Sequence, residues 1–568
     1  MAQKAENKDL LPLFFCLVMA VLIGLSMGLF ASLFVKGGEY ILSLWTFLGA
    51  SVALHFVSKE TIALVLGLFF AAVSIYLVRR FSKMPRYHGP ADSILVAHVQ
   101  GNQTQVRDGL WTTLVAFLAI GGGAPVGQYG PLVHFGAVIG GALKGLVKKI
   151  EVETDVVLGC GVAAAISAGF HAPLAGVVFA HEVILRHLSF RAIMPITVSS
   201  VVSLALNKML FESQPLFKLE IEGIELTSLL MPLFVSSLCF GLVAVIFMRS
   251  LLYFNTLGAK IGGSPARSLS IAFLGCLIIG LIAPEVMGLG SSVIKILLSD
   301  SYSLIFVAFL LILKILATSV AIGFGMFGGV FSPALFLGAC TGAILTKIFA
   351  FFGFVFSANI LGLAGMAAVS ACVVGAPISL VIIILELTQS YELAVLTMLS
   401  TAVSVALANL FFGHSLFDEQ LFRRGFDVSL GRVNLALSQM KILDIVTDDF
   451  VKIQKDTKII DAIDIVKKSE KSECYCLDEN GSLIGKSSLN ILLGSDENDF
   501  FVDHLAQNPI QLDKDHSLLE ALEIASKFVG ESIPVTDGSS KVLLGVVTEA
   551  DIFSAYLNVQ HKADSIEH

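Results

Sequence analysis

Two short stretches carry residue types and spacing from which an anion site can be built: Gly127-Gln128-Tyr129-Gly130-Pro131 and Gly329-Val330-Phe331-Ser332-Pro333. A glycine-rich turn that runs into a helix leaves backbone N–H groups without carbonyl partners. It also aims them along the axis, where the helix dipole adds partial positive charge, and both features suit an anion. In each copy the proline is followed by glycines at five and nine positions, Gly136 and Gly140 in the first and Gly338 and Gly342 in the second. Further on, His171-Ala172-Pro173 opens an apolar helix with Glu182 nine residues past its proline, and Gly375-Ala376-Pro377 opens another with Glu386 at the same offset. Glycines at four-residue spacing also let helices pack closely. Two matched copies, each embedded in a bundle of apolar segments, favour halves that meet around a mid-membrane site.

The elements that must position these residues are membrane helices. A mean hydropathy of +0.84, with 55% hydrophobic and 14% charged residues, excludes a soluble globular protein and implies a multi-pass chain in a lipid bilayer. The first apolar run, Leu11 to Val35, is longer than a bilayer core needs and too long for a signal-peptide core, so it is read as a retained helix. Further spans are expected near 61–78, 192–207, 226–255, 268–284, 303–320 and 392–412, with short segments at 93–99 and 414–422. The basic runs Arg79-Arg80-Phe81-Ser82-Lys83-Met84-Pro85-Arg86 and Arg423-Arg424 mark the cytoplasmic side, so the tail lies in the cytoplasm. The eight cysteines show neither a disulfide framework nor a metal-ligand spacing.

Charge is uneven. Residues 441–568 hold 12 Lys+Arg and 24 Asp+Glu, a net of −12, which leaves +4 for the first 440 out of the whole-chain −8. The tail is therefore a separate acidic unit, and its charge argues against nucleic acid as a partner. It repeats weakly. Met440 to Val446 leads through Ile459 to Val466 to two strands ending near Gly485 to Asn490, and Val502 to Leu505 leads through Leu518 to Ala525 to Gly545 to Asp551. Each unit reads as strand, helix, two strands, helix, over 440–495 and 499–560 within a domain at 438–568. The membrane domain covers 1–430.

With these motifs assembled, the chain resembles CLC-family anion channels and transporters that carry a C-terminal pair of CBS domains. The resemblance implies an all-α polytopic fold of two inverted repeats of broken, tilted helices, followed by a cytoplasmic α/β CBS pair. It further implies a homodimer with one anion pathway per subunit, set in the cell membrane, a bacterial inner membrane being expected. In that family chloride or a similar small anion is held by backbone amides at the two glycine motifs, by a serine in a Gly-Ser-Gly-Ile-Pro segment and by a tyrosine near the end of the membrane domain. Carried over, the anion-binding residues are His88, Gly89, Gln128, Tyr129, Gly130, Val330, Phe331 and Phe417, with His88 at the serine and Phe417 at the tyrosine. No cofactor is required. A Gly-x-x-Thr-x-x-Asp pattern ending in Thr548 and Asp551 implies an adenine nucleotide at the CBS pair, with Ser487 and Asn490 as its weaker counterpart; other CBS pairs bind nothing and stabilise dimers.

The chain departs from the family where mechanism is decided. The gating glutamate position holds Tyr129, and the inner proton-glutamate position holds Val183. A tyrosine titrates near ~10 in water, so Tyr129 stays neutral at physiological pH and cannot relay protons as a carboxylate does. The expected activity is thus passive, uncoupled anion conduction. The alternatives are a proton-coupled chloride or fluoride antiporter with a non-standard carrier, or a nucleotide-sensing membrane protein with a plugged pathway. As an imidazolium His88 would be a strong ligand lost as pH rises; as a neutral ring it would cap a turn at the cytoplasmic mouth. Glu182 and Glu386 are intramembrane carboxylates whose matched placement points to bonding with backbone at helix ends. His134 and His181 are read as packed, hydrogen-bonded residues. His-Glu-x-x-His is absent and no carboxylates are paired at catalytic spacing, which argues against an enzyme.

Overall fold

The computed structural model describes residues 2–51, 58–84, 86–99, 104–146, 153–211, 226–299, 301–354, 357–506 and 509–567; Pro85 of the basic run lies outside them. The chain divides into two units, Met1–Phe426 and Asp427–His568. Helices of the first unit are α1 Ala2–Ser51, α2 Lys59–Ser82, α3 Pro90–His98, α4 Val106–Gly121, α5 Tyr129–Leu146, α6 Thr154–Phe170, α7 Pro173–Phe179 and α8 Phe190–Phe211. The series then repeats as α9 Leu226–Ile261, α10 Pro265–Ile282, α11 Ser291–Leu298, α12 Leu304–Gly323, α13 Phe331–Phe351, α14 Ala358–Val374, α15 Pro377–Thr388 and α16 Tyr391–Phe411, closed by α17 Leu416–Phe422. Among the described residues eight helical stretches are long and apolar enough to cross a membrane. The short α3 and α17 match the short segments expected at 93–99 and 414–422.

The end of the first helix differs most from the sequence reading. The first helix does not end with the apolar run at Val35 but continues to Ser51. Lys36 does not break it because its ammonium donates to the Phe211 carbonyl at 2.9 Å and lies 5.0 Å over the Phe211 ring.

The glycines at five and nine positions past each motif proline do pack helices closely. A Cβ on Gly136 or Gly140 would run into the backbone of α6 at Gly161 or Val157, and one on Gly338 or Gly342 into α14 at Gly365 or Leu361. Helix α6 is buried along its whole length, as is α14, so these helices form the cores of the two halves. Each turns sharply at its C-terminus through a left-handed residue, His171 at φ 58° and Gly375 at φ 78°. The chain then re-enters through the proline that opens α7 or α15.

In the tail, α18 Gly431–Gln439 precedes two similar units. The first comprises β1 Val451–Ile453, α19 Ile459–Lys468, β2 Glu473–Leu477, β3 Leu483–Ser488 and α20 Leu489–Leu493; the second comprises β4 Leu512–Asp513, α21 Leu518–Ala525, β5 Ile533–Thr536, β6 Leu543–Val547 and α22 Glu549–Glu567. Each forms a three-stranded sheet with its first strand parallel to the second and the second antiparallel to the third. The opening strands lie later than the sequence suggested. Ile442–Ile445 and Phe501–His504 are 3₁₀ turns, since four apolar-patterned residues fit a turn as well as a strand. The two units clasp reciprocally: Ser532 N–H donates to Glu473 at 2.9 Å, and Ser472 N–H donates to Glu531 at 2.7 Å.

Candidate functional site

The two glycine motifs meet each other. Gly127 N–H donates to the Gly329 carbonyl and Gly329 N–H to the Gly127 carbonyl, both at 2.6 Å, an antiparallel bridge between the halves. Side chains would prevent it: a Cβ on Gly127 would lie 2.9 Å from the Gly329 oxygen, and one on Gly130 would lie 3.0 Å from the Gly329 Cα. The bridge brings the N-termini of α5 and α13 together, and with them the unpaired first-turn N–H groups of two helices. Their summed dipoles favour an anion at the meeting point.

Two cavities flank this point. The inner one, of about 380 Å³, is lined by Tyr87, Gly89, Gly130, Val330, Phe331 and Phe417, together with Arg423 and Arg424. The outer one, of about 420 Å³, is lined by Gln128, Ser332 and His171, with Lys36, Lys295 and Glu39 at its mouth. Among the described residues Tyr129 alone lines both. Its ring is 2% exposed, stacks on Phe170 at 3.8 Å between centroids and 22° between planes, and meets Phe331 edge-on at 5.5 Å. The phenol donates only a long hydrogen bond, 3.5 Å, to the Gly169 carbonyl. The separator is therefore an aromatic wedge and not a charge.

Cationic groups at the inner mouth are organised around one carboxylate. Asp92, in the first turn of α3, accepts from Arg86 at 2.6 Å, from Arg424 at 3.0 Å and from Gly89 N–H at 2.8 Å. Two cations against one anion leave the entrance net positive, and the third bond caps α3.

Of the residues named from sequence, Gly89, Tyr129, Gly130, Val330, Phe331 and Phe417 line the inner cavity, and Gln128 lines the outer one. His88 is absent from both linings. Its N–H donates to Thr112 at 3.2 Å and its Nε2 lies 4.0 Å from Asp108, while Tyr87 and Gly89 on either side face the cavity. The physical reason is register: Pro90 opens α3, and one residue in the extended segment before it reverses the side-chain direction. Val183 is 2% exposed, within a π-helical turn Ala180–Leu185 that continues α7. Thr548 and Asp551 form a helix cap, with Thr548 N–H and hydroxyl donating to Asp551 at 3.0 and 2.6 Å.

Glu182 and Glu386 bond to backbone across the repeat. Glu182 accepts from Ile378 and Ser379 N–H at 2.8 Å each in the first turn of α15, and Glu386 accepts from Leu174 and Ala175 N–H at 3.0 and 2.9 Å in the first turn of α7. Each half thus caps the other. His134 Nδ1 pairs with Ser93 at 2.9 Å and His181 Nδ1 with the Val177 carbonyl at 2.9 Å. Sequence reading missed Tyr87, Arg424 and Ser332. The last lay in plain view within the second motif, and its buried hydroxyl has no hydrogen-bond partner among the described residues.

Two halves joined at facing helix N-termini, with a cavity on either side and cations at both mouths, define a membrane protein for small anions. The pattern of the voltage gated chloride channel family matches residues 67–409, and the CBS domain pattern matches 502–558. The chain belongs to the voltage gated chloride channel, or CLC, family, whose work is anion transport. It is 26% identical over 423 residues to the H(+)/Cl(-) exchange transporter ClcA of Yersinia pestis, covering 72% of this chain and 87% of the relative. Its fold is similar to that of a slow cyanobacterial Cl-/H+ antiporter, with TM-score 0.65 and 21% identity over 72% of this chain and 97% of the other. A eukaryotic CLC transporter superposes with TM-score 0.63 at 18% identity, covering 94% and 98%.

Proposed function

We propose that the chain conducts chloride or a similar small anion passively, without proton coupling, as a homodimer with one pathway per subunit. The observation that carries this reading is the chemistry of the constriction. Tyr129, the residue shared by both cavities, is neutral near pH 7 and offers no carboxylate to shuttle a proton between them. Val183 is apolar, and both Glu182 oxygens are engaged by the first turn of α15. The anion is held by N–H groups of the two motif helices, and Tyr129 is the gate that must swing aside.

A proton-coupled exchange is favoured by one finding, the exchanger named among the relatives. Its carrier would be sought in His88 and in His134 of α5, whose rings lie 6.2 Å apart. An adenine nucleotide held at Thr548 and Asp551 would regulate either activity.

The test is chloride efflux from liposomes holding the purified protein, with internal pH recorded and no imposed proton gradient. Passive conduction gives efflux with no stoichiometric proton movement. Proton uptake in fixed ratio to chloride sinks the uncoupled reading. Efflux that appears only with added ATP would instead assign the gate to the tail.

A further inference from the structure

A depression of about 550 Å³ lies outside the inner cavity, between the C-terminal half of α9 and the junction of α16 with α17. One wall is a stripe on α9: Arg249, Tyr253, Thr256 and Lys260. Their spacing of four, three and four residues keeps them on one helix face, over about 16 Å of axis. Arg249 is fixed by a 2.7 Å hydrogen bond to the Phe411 carbonyl at the end of α16, which leaves most of its five donors for other partners. Arg423 closes the far side. The one carboxylate in the lining, Glu419, is taken by Arg423 at 2.7 Å, so three cations face a single anion.

Exposed rings set this groove apart from an ordinary basic patch. Tyr253 is 63% exposed and Phe411 57% exposed, on helices that cross the membrane. The amphipathic ring of Tyr253 and the apolar ring of Phe411, beside cations at the cytoplasmic ends of membrane helices, match the level of lipid headgroups and the first methylenes below them. We propose that this groove binds the phosphate headgroup of an anionic phospholipid from the cytoplasmic leaflet, with its acyl chains against Tyr253 and Phe411. A free phosphate would satisfy the arginines but not the rings. Leu252 and Arg423 line both this groove and the inner anion cavity, so a bound headgroup shares a wall with the pathway and draws Arg423 away from it.

The full chain in detergent is titrated with phosphatidylglycerol and with phosphatidylcholine of the same acyl chains, and retained lipid is counted by native mass spectrometry. Phosphatidylglycerol is expected to bind at least tenfold more tightly. Arg249→Gln with Lys260→Gln should weaken it roughly 25-fold, at about fivefold for each cation. Lys260→Gln alone should give the fivefold step in a protein that keeps the Arg249 anchor. Arg249→Lys with Lys260→Arg keeps the number of cations and should keep binding within about threefold. Equal retention of the two lipids overturns the proposal, as does undiminished phosphatidylglycerol binding by the neutral variants. Full displacement by millimolar glycerol phosphate would overturn the lipid assignment in favour of a soluble phosphate.

Discussion

Tyr129→Ala removes the ring that separates the two cavities, and the structure sets the size of its effect. For an anion to pass, the ring must leave its stack on Phe170 at 3.8 Å and its edge contact with Phe331 at 5.5 Å. Each such aromatic pair contributes roughly 0.5–1.5 kcal/mol beyond burial. The hydroxyl bond to Gly169 at 3.5 Å is too long to add much. Displacing the ring therefore costs about 1–3 kcal/mol, a factor of roughly 5 to 150 in the open population. Turnover of the alanine variant should rise by that factor in chloride efflux from liposomes, normalised to protein that elutes as the native form does. The same truncation removes a buried ring at a cost of about 3–5 kcal/mol of stability, so melting temperature falls as flux rises. Tyr129→Phe keeps both ring contacts and should stay within about twofold of native flux. A well-folded alanine variant with unchanged or lower flux refutes the wedge. If phenylalanine raises flux as much as alanine does, the hydroxyl and not the ring is the barrier.

Three further outcomes are expected. Glu182→Gln or Glu386→Gln replaces a carboxylate that holds two backbone N–H groups, and each should lower stability by about 1.5–3 kcal/mol, read as a fall in melting temperature. Tyr87→Phe should weaken the chloride dependence of efflux severalfold while His88→Gln leaves it within about twofold; the opposite ranking would restore His88 as the ligand. In the tail, burial pushes the Cys474 thiol up to about 12. The folded state then keeps a proton that the unfolded chain releases near ~8.5, so this contribution to stability is complete below that pH and declines from there toward about 12. Iodoacetamide should accordingly leave Cys474 unmodified in the native full chain at pH 9, and rapid labelling there would contradict its burial.

The fold was legible where the sequence states a pattern twice. The motif pair, the glycines behind each proline and the matched glutamates each had a partner at the same offset; the motifs and the glutamates meet their counterpart or its helix, and the glycines pack on the equivalent helix of their own half, α6 or α14. What stayed hidden depends on long-range or one-residue geometry. The Arg424 to Asp92 bond joins residues 332 positions apart, with no local sign. The choice between Tyr87 and His88 turns on a single step in an extended segment, where side-chain direction alternates and helical periodicity gives no help. The tail strands were misplaced because short apolar patterns fit turns as well.

Symmetry also explains which departures matter. When two copies pair about a twofold axis, the unpaired donors at one copy's helix end face the matching end of the other, so each half can cap its partner. Such exchange occurs at Gly127 with Gly329, at Glu182 and Glu386 with the starts of α15 and α7, and again in the tail at Ser472 with Glu531 and Ser532 with Glu473. These pairs hold the frame, and either copy does the same work. Tyr129 and Phe331 are the third residues of the two motifs, and they meet edge-on across the junction of the halves. Yet only the first ring lies in both cavities; the second lines the inner one alone. The next position breaks the match as well, with Gly130 on the inner cavity and the unpartnered Ser332 hydroxyl on the outer. The proposed pathway thus has its constriction at the place where the copies cease to be equivalent. Exchanging the two rings, Tyr129→Phe with Phe331→Tyr, should leave stability within about 1 kcal/mol, since packing is conserved. It would also move the one constriction hydroxyl to the inner side, so a changed anion preference in efflux would locate selectivity at this aromatic pair, and an unchanged one would locate it in the backbone N–H groups.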